Sequence, residues 1–376
     1  MGMGSWTRGT WSAALVACCV SLAGAGSAQA AAGLEVAIQD DGVLINRAYS
    51  NPYLVLQRAV ELGASRVRVN VLWARALGPQ AALPAAPAAI AYDWAPYDAL
   101  ASAAAAFGLR LQMTLTGPAP AWATANRRVG VYRPSPAHFA AFTRAAAEHF
   151  RGRVDRYTIW NEPNWVGWLA PQRDAARIYR RLYDAGHRAI KTVDPAAKVL
   201  IGETAPSARP GKAIAPLRFL RAVTCRTASY RPSRRCRRLI ADGYAHHPYA
   251  LQDRPDARAS GRDNVTLGSI GRLTTALTRL ARVRALSTPR GRPLGVYLTE
   301  YGYFASGKRA IAPAQRAAYL RRSVEIARRA RGVRQLTLYQ LASPPLGTLW
   351  DTSLLTPDGS PTLEFNTLRA AILGPG

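Results

Sequence analysis

The chain has 376 residues, with 50 Lys or Arg against 22 Asp or Glu, a formal charge of +28 in which only positions 191, 198, 212 and 308 are lysine. Its arginines run along helical stretches such as RRSVEIARRARGVR and do not interleave with aromatic residues, which argues against a specific nucleic-acid module. The charge reads first as composition and solubility, although its field would gather anionic polymers such as wall polymers or acidic polysaccharides.

Residues 1–30, MGMGSWTRGTWSAALVACCVSLAGAGSAQA, carry one Arg, no acid, a short apolar core and the ending Ala28-Gln29-Ala30. That is the pattern of a secretory signal peptide cleaved after Ala30. The alternative, an N-terminal membrane anchor, needs about twenty apolar residues, more than this stretch has, and no other segment could cross a bilayer, so stable membrane insertion is not expected. Residues 31–376 then form one exported domain, of a length that suits a (β/α)₈ barrel. Cys18 and Cys19 leave with the leader. Cys225 and Cys236 remain, expected as a disulfide closing the loop RTASYRPSRR, since further ligands for a zinc site are lacking nearby.

From Gly33 onward short β-branched runs alternate with longer amphipathic ones. The strand candidates are LEVAIQ (34–39), RVRVNVLW (66–73), LRLQMTLTG (109–117), VDRYTIWNE (154–162), KVLIGE (198–203), DGYAHHPY (242–249), LGVYLTE (294–300) and QLTLYQL (335–341). Between them lie helical stretches that begin beside Pro, Asp or Asn, several ending in Gly. Eight alternating pairs predict an α/β fold, a closed (β/α)₈ TIM barrel. The open doubly wound alternative often carries a Gly-rich phosphate turn after its first strand, and IQDDGVLINR has one glycine.

In such a barrel the chemistry sits at the carboxyl ends of the strands. Those ends carry Asp40 and Asp41, Arg68 with Trp73, Trp122, Asn161 with Glu162, Glu203, His246 with His247 and Tyr249, Glu300, and Gln340 with Trp350 in the following loop. Of the tryptophans after residue 30, all but Trp94 fall at a strand end or in the loop after it. Aromatic faces ranged with polar groups suit a sugar, so Trp73, Trp122 and Trp350 are read as substrate contacts. Glycoside cleavage needs one carboxylic acid to protonate the leaving oxygen and one carboxylate to attack or to activate water. Glu162 and Glu300 lie on strands four and seven, across the barrel mouth from one another.

WNEPN followed about 140 residues later by LTEYGY resembles clan A of the retaining glycoside hydrolases. The phrases YDWAPYD, LTGPAPAWA, WNEPN and HHPY are most similar to family 39, the β-xylosidase and α-iduronidase group, or to the cellulase-like family 5. The resemblance implies Glu162 as acid/base, Glu300 as nucleophile, Asn161 as the contact to the sugar 2-hydroxyl, and Arg68 as the cation that keeps the nucleophile ionised. It implies that Tyr249 reaches the nucleophile, that His247 lines the site, and that no metal or organic cofactor is used. Strand three departs by ending without a histidine, and strand eight by having Gln340 where a tryptophan is usual, with Trp350 as a substitute from the loop.

Other residues have milder readings. Glu203 is expected to be a buried partner for an arginine, His246 to pack inward or bond backbone, and Asp40 and Asp41 either to bind substrate or to cap the first loop. The sum is a secreted or cell-envelope retaining glycosidase acting on a poly- or oligosaccharide, possible acidic glycans included, and expected to be a monomer. Its rival is a non-catalytic wall- or polysaccharide-binding barrel.

Overall fold

A computed structural model describes Met1 and residues 33–374, so the leader expected at 1–30 lies outside the described residues apart from Met1. Eight parallel strands close into a barrel: β1 (Glu35–Gln39), β2 (Arg66–Leu72), β3 (Arg110–Thr116), β4 (Val154–Ile159), β5 (Lys198–Thr204), β6 (Gly243–His246), β7 (Val296–Tyr301) and β8 (Val333–Tyr339). They neighbour one another in chain order, and β8 pairs with β1 to complete the ring. Eight helices surround them: α1 (Pro52–Glu61), α2 (Ala95–Ala106), α3 (Pro136–His149), α4 (Ala175–Val193), α5 (Pro216–Val223), α6 (Ile270–Arg282), α7 (Pro313–Arg329) and α8 (Leu363–Leu373). The strands read from sequence are all present, with β4 and β6 shorter than expected. A parallel patch of Leu239–Ile240 with Leu286–Ser287 was not anticipated, because two residues are too few to show an alternation.

Helix starts follow the local chemistry. Asn51 and Ser135 cap α1 and α3 with side-chain acceptors, and proline occupies the first turn of both, where its missing N–H costs nothing. Helix α4 buries Ile178, Tyr179, Leu182, Tyr183, Gly186, Ala189 and Ile190, a stripe of 3.6-residue period laid on the barrel.

The inside of the barrel is set by the alternation RVRVNV in β2. Val67, Val69 and Val71 face the helices, fully buried, so Arg66, Arg68 and Asn70 point to the interior. At the barrel floor Arg66 donates to Glu35 at 3.0 Å and Arg156 to the other Glu35 oxygen at 2.6 Å, while Arg156 also lies 4.6 Å over the Tyr297 ring. Strands β1, β4 and β7 are not neighbours in the ring, so these contacts cross the interior. Burial would raise the Glu35 carboxyl, but Arg66 and Arg156 outweigh it and hold it below its ordinary value. A smaller apolar plug of Leu200, Ala245 and Tyr297 forms its own cluster apart from the main core.

Cys225 and Cys236 are joined, with Cα atoms 6.2 Å apart. Among the described residues no helix is long and apolar enough to cross a membrane.

Removing the floor carboxylate should expose how much the barrel relies on it. Glu35→Leu leaves Arg156, 4% exposed, without a carboxylate partner, and a buried charge stripped of its partner typically costs about 3–5 kcal/mol. Urea unfolding is expected to show a loss of that order; a loss under about 1 kcal/mol would mean that the floor cations are solvated.

Candidate active site

A cavity of about 470 Å³ opens at the carboxyl ends of the strands, lined by Asn161, Glu162, Tyr249, Glu300, Tyr339, Trp165, Trp168 and Trp350 among others. Its chemistry begins in the turn after β4. Trp160 has φ +65° and Glu162 φ +37°, two left-handed residues that non-glycine side chains rarely adopt. The first swings the fully buried Trp160 ring outward against Phe139, with centroids 5.4 Å apart, and its Nε1 donates to the Trp168 carbonyl at 2.7 Å. The second leaves Glu162 facing the cavity, its own N–H donating to the Glu203 carbonyl at 3.0 Å.

Both asparagines of WNEPN have work to do. Asn164 is fully buried; its Nδ2 donates to the carbonyls of Ala205 and Ile214, and its Oδ1 accepts from the Ala205 N–H at 2.8 Å. It therefore ties the β4 turn to the loop after β5. Asn161 accepts at Oδ1 from Arg68 Nη2 at 3.2 Å, which fixes the amide so that Nδ2 remains as a donor.

Arg68 lies at the centre. Its Nη1 donates to Glu300 Oε1 at 2.8 Å, its Nε to Glu203 Oε1 and Thr114 Oγ1 at 3.1 Å, its Nη2 to Asn70 as well as Asn161, and Gln39 Oε1 accepts from Nη1. Burial opposes a charge there, but Glu203 and Glu300 outweigh it and raise the guanidinium above its ordinary value. Glu203, fully buried, is in turn held below the usual carboxylate range by Arg68, against its desolvation.

The consecutive histidines of β6 and its end point to opposite sides, as a strand requires. His246 faces the helices, bonding Thr204 Oγ1 and the Val265 carbonyl at 2.9 Å each, and burial pushes it down to about 3, a neutral packing residue. His247 faces the mouth: its Nδ1 lies 3.0 Å from Glu162 Oε1 and 3.5 Å from Glu300 Oε2. Desolvation would lower it, yet Glu300, Glu162 and Glu203 together push it up to about 9, so at neutral pH it is an imidazolium. Because one nitrogen is within reach of both, those two carboxylate oxygens are no more than about 6.5 Å apart. Tyr249 donates its hydroxyl to Glu300 Oε2 at 3.2 Å, and its ring meets Trp350 edge-on at 5.3 Å.

Two of the expected sugar contacts lie elsewhere. Trp73 is fully buried and stacks on Phe142 at 5.4 Å, while Trp122, 6% exposed, packs edge-on against Trp73 and donates to the Gln80 carbonyl. Both belong to the layer between barrel and helices and neither lines the cavity. The reason is visible in RVRVNVLW, where Trp73 shares the outward parity of Val67, Val69 and Val71. At the end of β8 the inward residue is Tyr339, on the parity of Gln335 and Thr337, while Gln340 turns away to accept Thr352 N–H and donate nothing to the cavity. Trp350 does line it. Trp165 and Trp168 line it as well, cavity residues missing from the sequence expectation, although their place in the loop directly after WNEPN is a signal for them.

The first loop is structural. Asp40 accepts from the backbone N–H of Leu341 and Ala342 at 3.2 and 2.9 Å, joining the first loop to the last, and burial pushes its carboxyl up to about 6. Asp41 accepts from the Asn70 N–H at 2.6 Å. Among the described residues no group of three or more His, Cys, Asp or Glu is arranged to hold a metal ion.

No protein-family model and no curated protein matches this chain in sequence. Solved structures do match in shape. A family 39 glycoside hydrolase from the gut symbiont Bacteroides cellulosilyticus superposes with a TM-score of 0.66 at 18% identity, over 93% of this chain and 64% of that one. A monomeric β-xylosidase from Caulobacter crescentus gives 0.57 at 18% identity, over 90% and 69%. An endoglucanase from the hyperthermophilic Thermotoga maritima gives 0.57 at 12% identity, over 90% and 96%. This chain thus spans a little under two thirds of the Bacteroides protein but nearly all of the endoglucanase, and what it shares with them is the (β/α)₈ fold of glycoside hydrolases.

Proposed function

We propose that the protein is a secreted retaining glycoside hydrolase that cleaves an O-glycosidic bond of a poly- or oligosaccharide, with Glu162 as acid/base and Glu300 as nucleophile. One observation carries the reading: two carboxylates at the ends of β4 and β7, each within 3.5 Å of the same His247 nitrogen, at the foot of an aromatic-walled cavity. Retaining enzymes hold their carboxyl groups about 5–5.5 Å apart and inverting ones about 6.5–9.5 Å; the shared His247 nitrogen keeps one oxygen of each carboxyl within about 6.5 Å of the other, a closeness that suits the double displacement.

The electrostatics support a division of labour. Arg68 and His247 are two cations in contact with three carboxylates, Glu162, Glu203 and Glu300. Glu203 and Glu300 both lie on Arg68, and Glu300 also accepts from Tyr249, whereas Glu162 has His247 alone. Glu162, with the fewest cationic and donor contacts of the three, is therefore placed as the acid/base and Glu300 as the nucleophile. In the first step Glu300 attacks the anomeric carbon as Glu162 gives its proton to the departing glycosidic oxygen, leaving a glycosyl ester on Glu300. In the second, water attacks that carbon, its proton passes to Glu162, and Glu300 leaves as the carboxylate. The imidazolium of His247 steadies the negative charge that alternates between the two. Asn161 Nδ2 is the donor for the hydroxyl beside the reacting carbon, and Trp165, Trp168 and Trp350 offer faces to the sugar rings. Export by the leader at 1–30 is consistent with the Cys225–Cys236 bond.

Hydrolysis of aryl β-glycosides should fall on the order of 10³-fold in Glu300→Ala and about 10²–10⁴-fold in Glu162→Ala, least for the most acidic leaving groups. Azide should rescue Glu300→Ala as a glycosyl azide of inverted configuration and Glu162→Ala as one of retained configuration. If Glu300→Gln keeps polysaccharide binding while the parent turns over nothing on a broad panel, the barrel is a binding protein.

His247 in the folded protein is raised from 6.5 to about 9, so the folded state holds the extra proton and stability must decline as pH climbs through that window. The thermal midpoint is expected to fall between pH 6.5 and 9, and His247→Asn should flatten that slope; parallel slopes in the two proteins would contradict the assignment.

A further inference from the structure

On the flank of the barrel, between α5 and α6, lies a recess of about 750 Å³. Arg221, Arg258, Arg262, Arg272 and Arg279 line it, and Asp263 is the one carboxylate among its lining residues. Three of these guanidiniums are fixed in place. Arg221 pairs with Asp263 through two bonds of 3.0 and 2.6 Å, Arg272 Nη1 donates to the carbonyls of Ala259, Gly261 and Asn264, and Arg279 lies 5.6 Å over the Tyr230 ring. Arg258, Arg262 and Arg279 are exposed and have no ion pair among the described residues. Arg221 has its counter-charge in Asp263, but Arg258, Arg262, Arg272 and Arg279 have none among the described residues, and these four make an anion site whose counter-charge the protein does not supply.

The recess shares a wall with the catalytic cavity. Within the loop 258–266, Arg258, Arg262 and Asp263 face the recess while Ala259, Ser260 and Thr266 line the cavity. The cavity itself carries two further arginines, Arg209 and Arg309, neither paired with a carboxylate among the described residues, Arg309 lying 5.4 Å over Phe304.

We propose that the recess is a second binding site for a carboxylated polysaccharide, which crosses the 258–266 loop so that one stretch lies along the arginines while another occupies the cavity. The assignment of the cavity's occupant rests on the glycosidase reading. Planar guanidiniums match carboxylates in paired hydrogen bonds; that of Arg272 is already oriented by three carbonyls, and Arg258 and Arg262 have no carboxylate of the protein on theirs among the described residues. A single-stranded nucleic acid would want stacking platforms as well as charge, and Tyr230, the one aromatic residue lining the recess, has Arg279 over its ring.

The test separates binding from turnover. Glu300→Gln protein is titrated with polygalacturonate oligomers, a neutral galactan of equal length and single-stranded DNA of equal charge, at two salt concentrations. Expected are polygalacturonate binding that weakens with salt and a loss of at least about tenfold in Arg258→Glu/Arg262→Glu/Arg279→Glu, with an unchanged thermal midpoint and unchanged hydrolysis of a small aryl glycoside when Glu300 is intact. A milder triple change to Gln guards against charge reversal disturbing the fold and should lose affinity in the same order. Unaltered polygalacturonate binding in both triple variants, or equally tight binding of the DNA, overturns the site. Loss of binding in these variants with no glycoside cleaved by the parent keeps the recess and sinks the glycosidase; cleavage by the parent with binding untouched does the reverse.

Discussion

A single buried guanidinium organises the barrel mouth. Arg68 has no exposure, and taking such a charge out of water costs several kcal/mol before any partner is found. Its planar set of five N–H donors is met by acceptors on β1, β2, β3, β5 and β7 and on the turn after β4. Because the fork is rigid, each acceptor's position constrains the others. The carboxylate on β7 and the amide on the β4 turn are therefore registered against one another through Arg68, while the β4 carboxylate is registered to the β7 one through His247. A site held this way trades conformational freedom for geometry at the rim, where a (β/α)₈ fold otherwise leaves loops to vary.

The backbone contributes in the same direction. Trp160, Glu162 and Glu203 all have φ between +37° and +65°, conformations worth about 1–3 kcal/mol of strain each for residues with a Cβ. They persist because they are over-determined: Trp160 is wedged against Phe139, Glu162 N–H is bonded to the Glu203 carbonyl, and Asn164 locks the two loops with all three of its amide interactions. Strand β4 already ends at Ile159, before the left-handed Trp160, so Pro163 lies within the turn and is not what stops the strand. The turn itself is held by the tryptophan and the second asparagine, whose roles only the packing reveals.

Much of this was legible in advance because a strand's period of two is so regular. The eight strands, the eight helices, the meeting of Glu162 with Glu300, and the partnership of Glu203 with an arginine can all be read from residue type and position. Parity, followed strictly, would also have sent Trp73 outward and Tyr339 inward. What parity cannot give is where it breaks. The β5–β6 register skips a residue between Gly202 and Thr204, and the β8–β7 register skips one between Leu298 and Tyr301. These bulges turn Glu203 and Glu300 to the inside and send Tyr301 out to meet Ser323 on α7. At Trp160 a left-handed residue does the same for Asn161 and Glu162. Glu162, Glu203 and Glu300 thus each reach the mouth through an interruption of the regular strand, and such interruptions depend on neighbouring strands that a one-dimensional pattern does not contain.

The same break between composition and placement governs the arginines. Forty-six of them in one chain suggest a property of the sequence as a whole, yet the structure divides them. Arg66, Arg68, Arg156 and Arg316 are buried, and each is met by a carboxylate, Glu35, Glu203, Glu300 or Glu364, because an unpaired charge in that environment would not survive folding. With only 22 acidic residues available, carboxylates committed to the interior cannot balance the surface. The surplus has to face water, and a uniform scatter would minimise its self-repulsion. Arg221 is buried on Asp263 in the same way, but crowding Arg258, Arg262, Arg272 and Arg279 around one recess runs against that tendency, and the three carbonyls on Arg272 restrict its freedom to move apart. Net charge alone says little about function; charge concentrated beside the cavity at the barrel mouth is an arrangement that an anionic ligand would relieve.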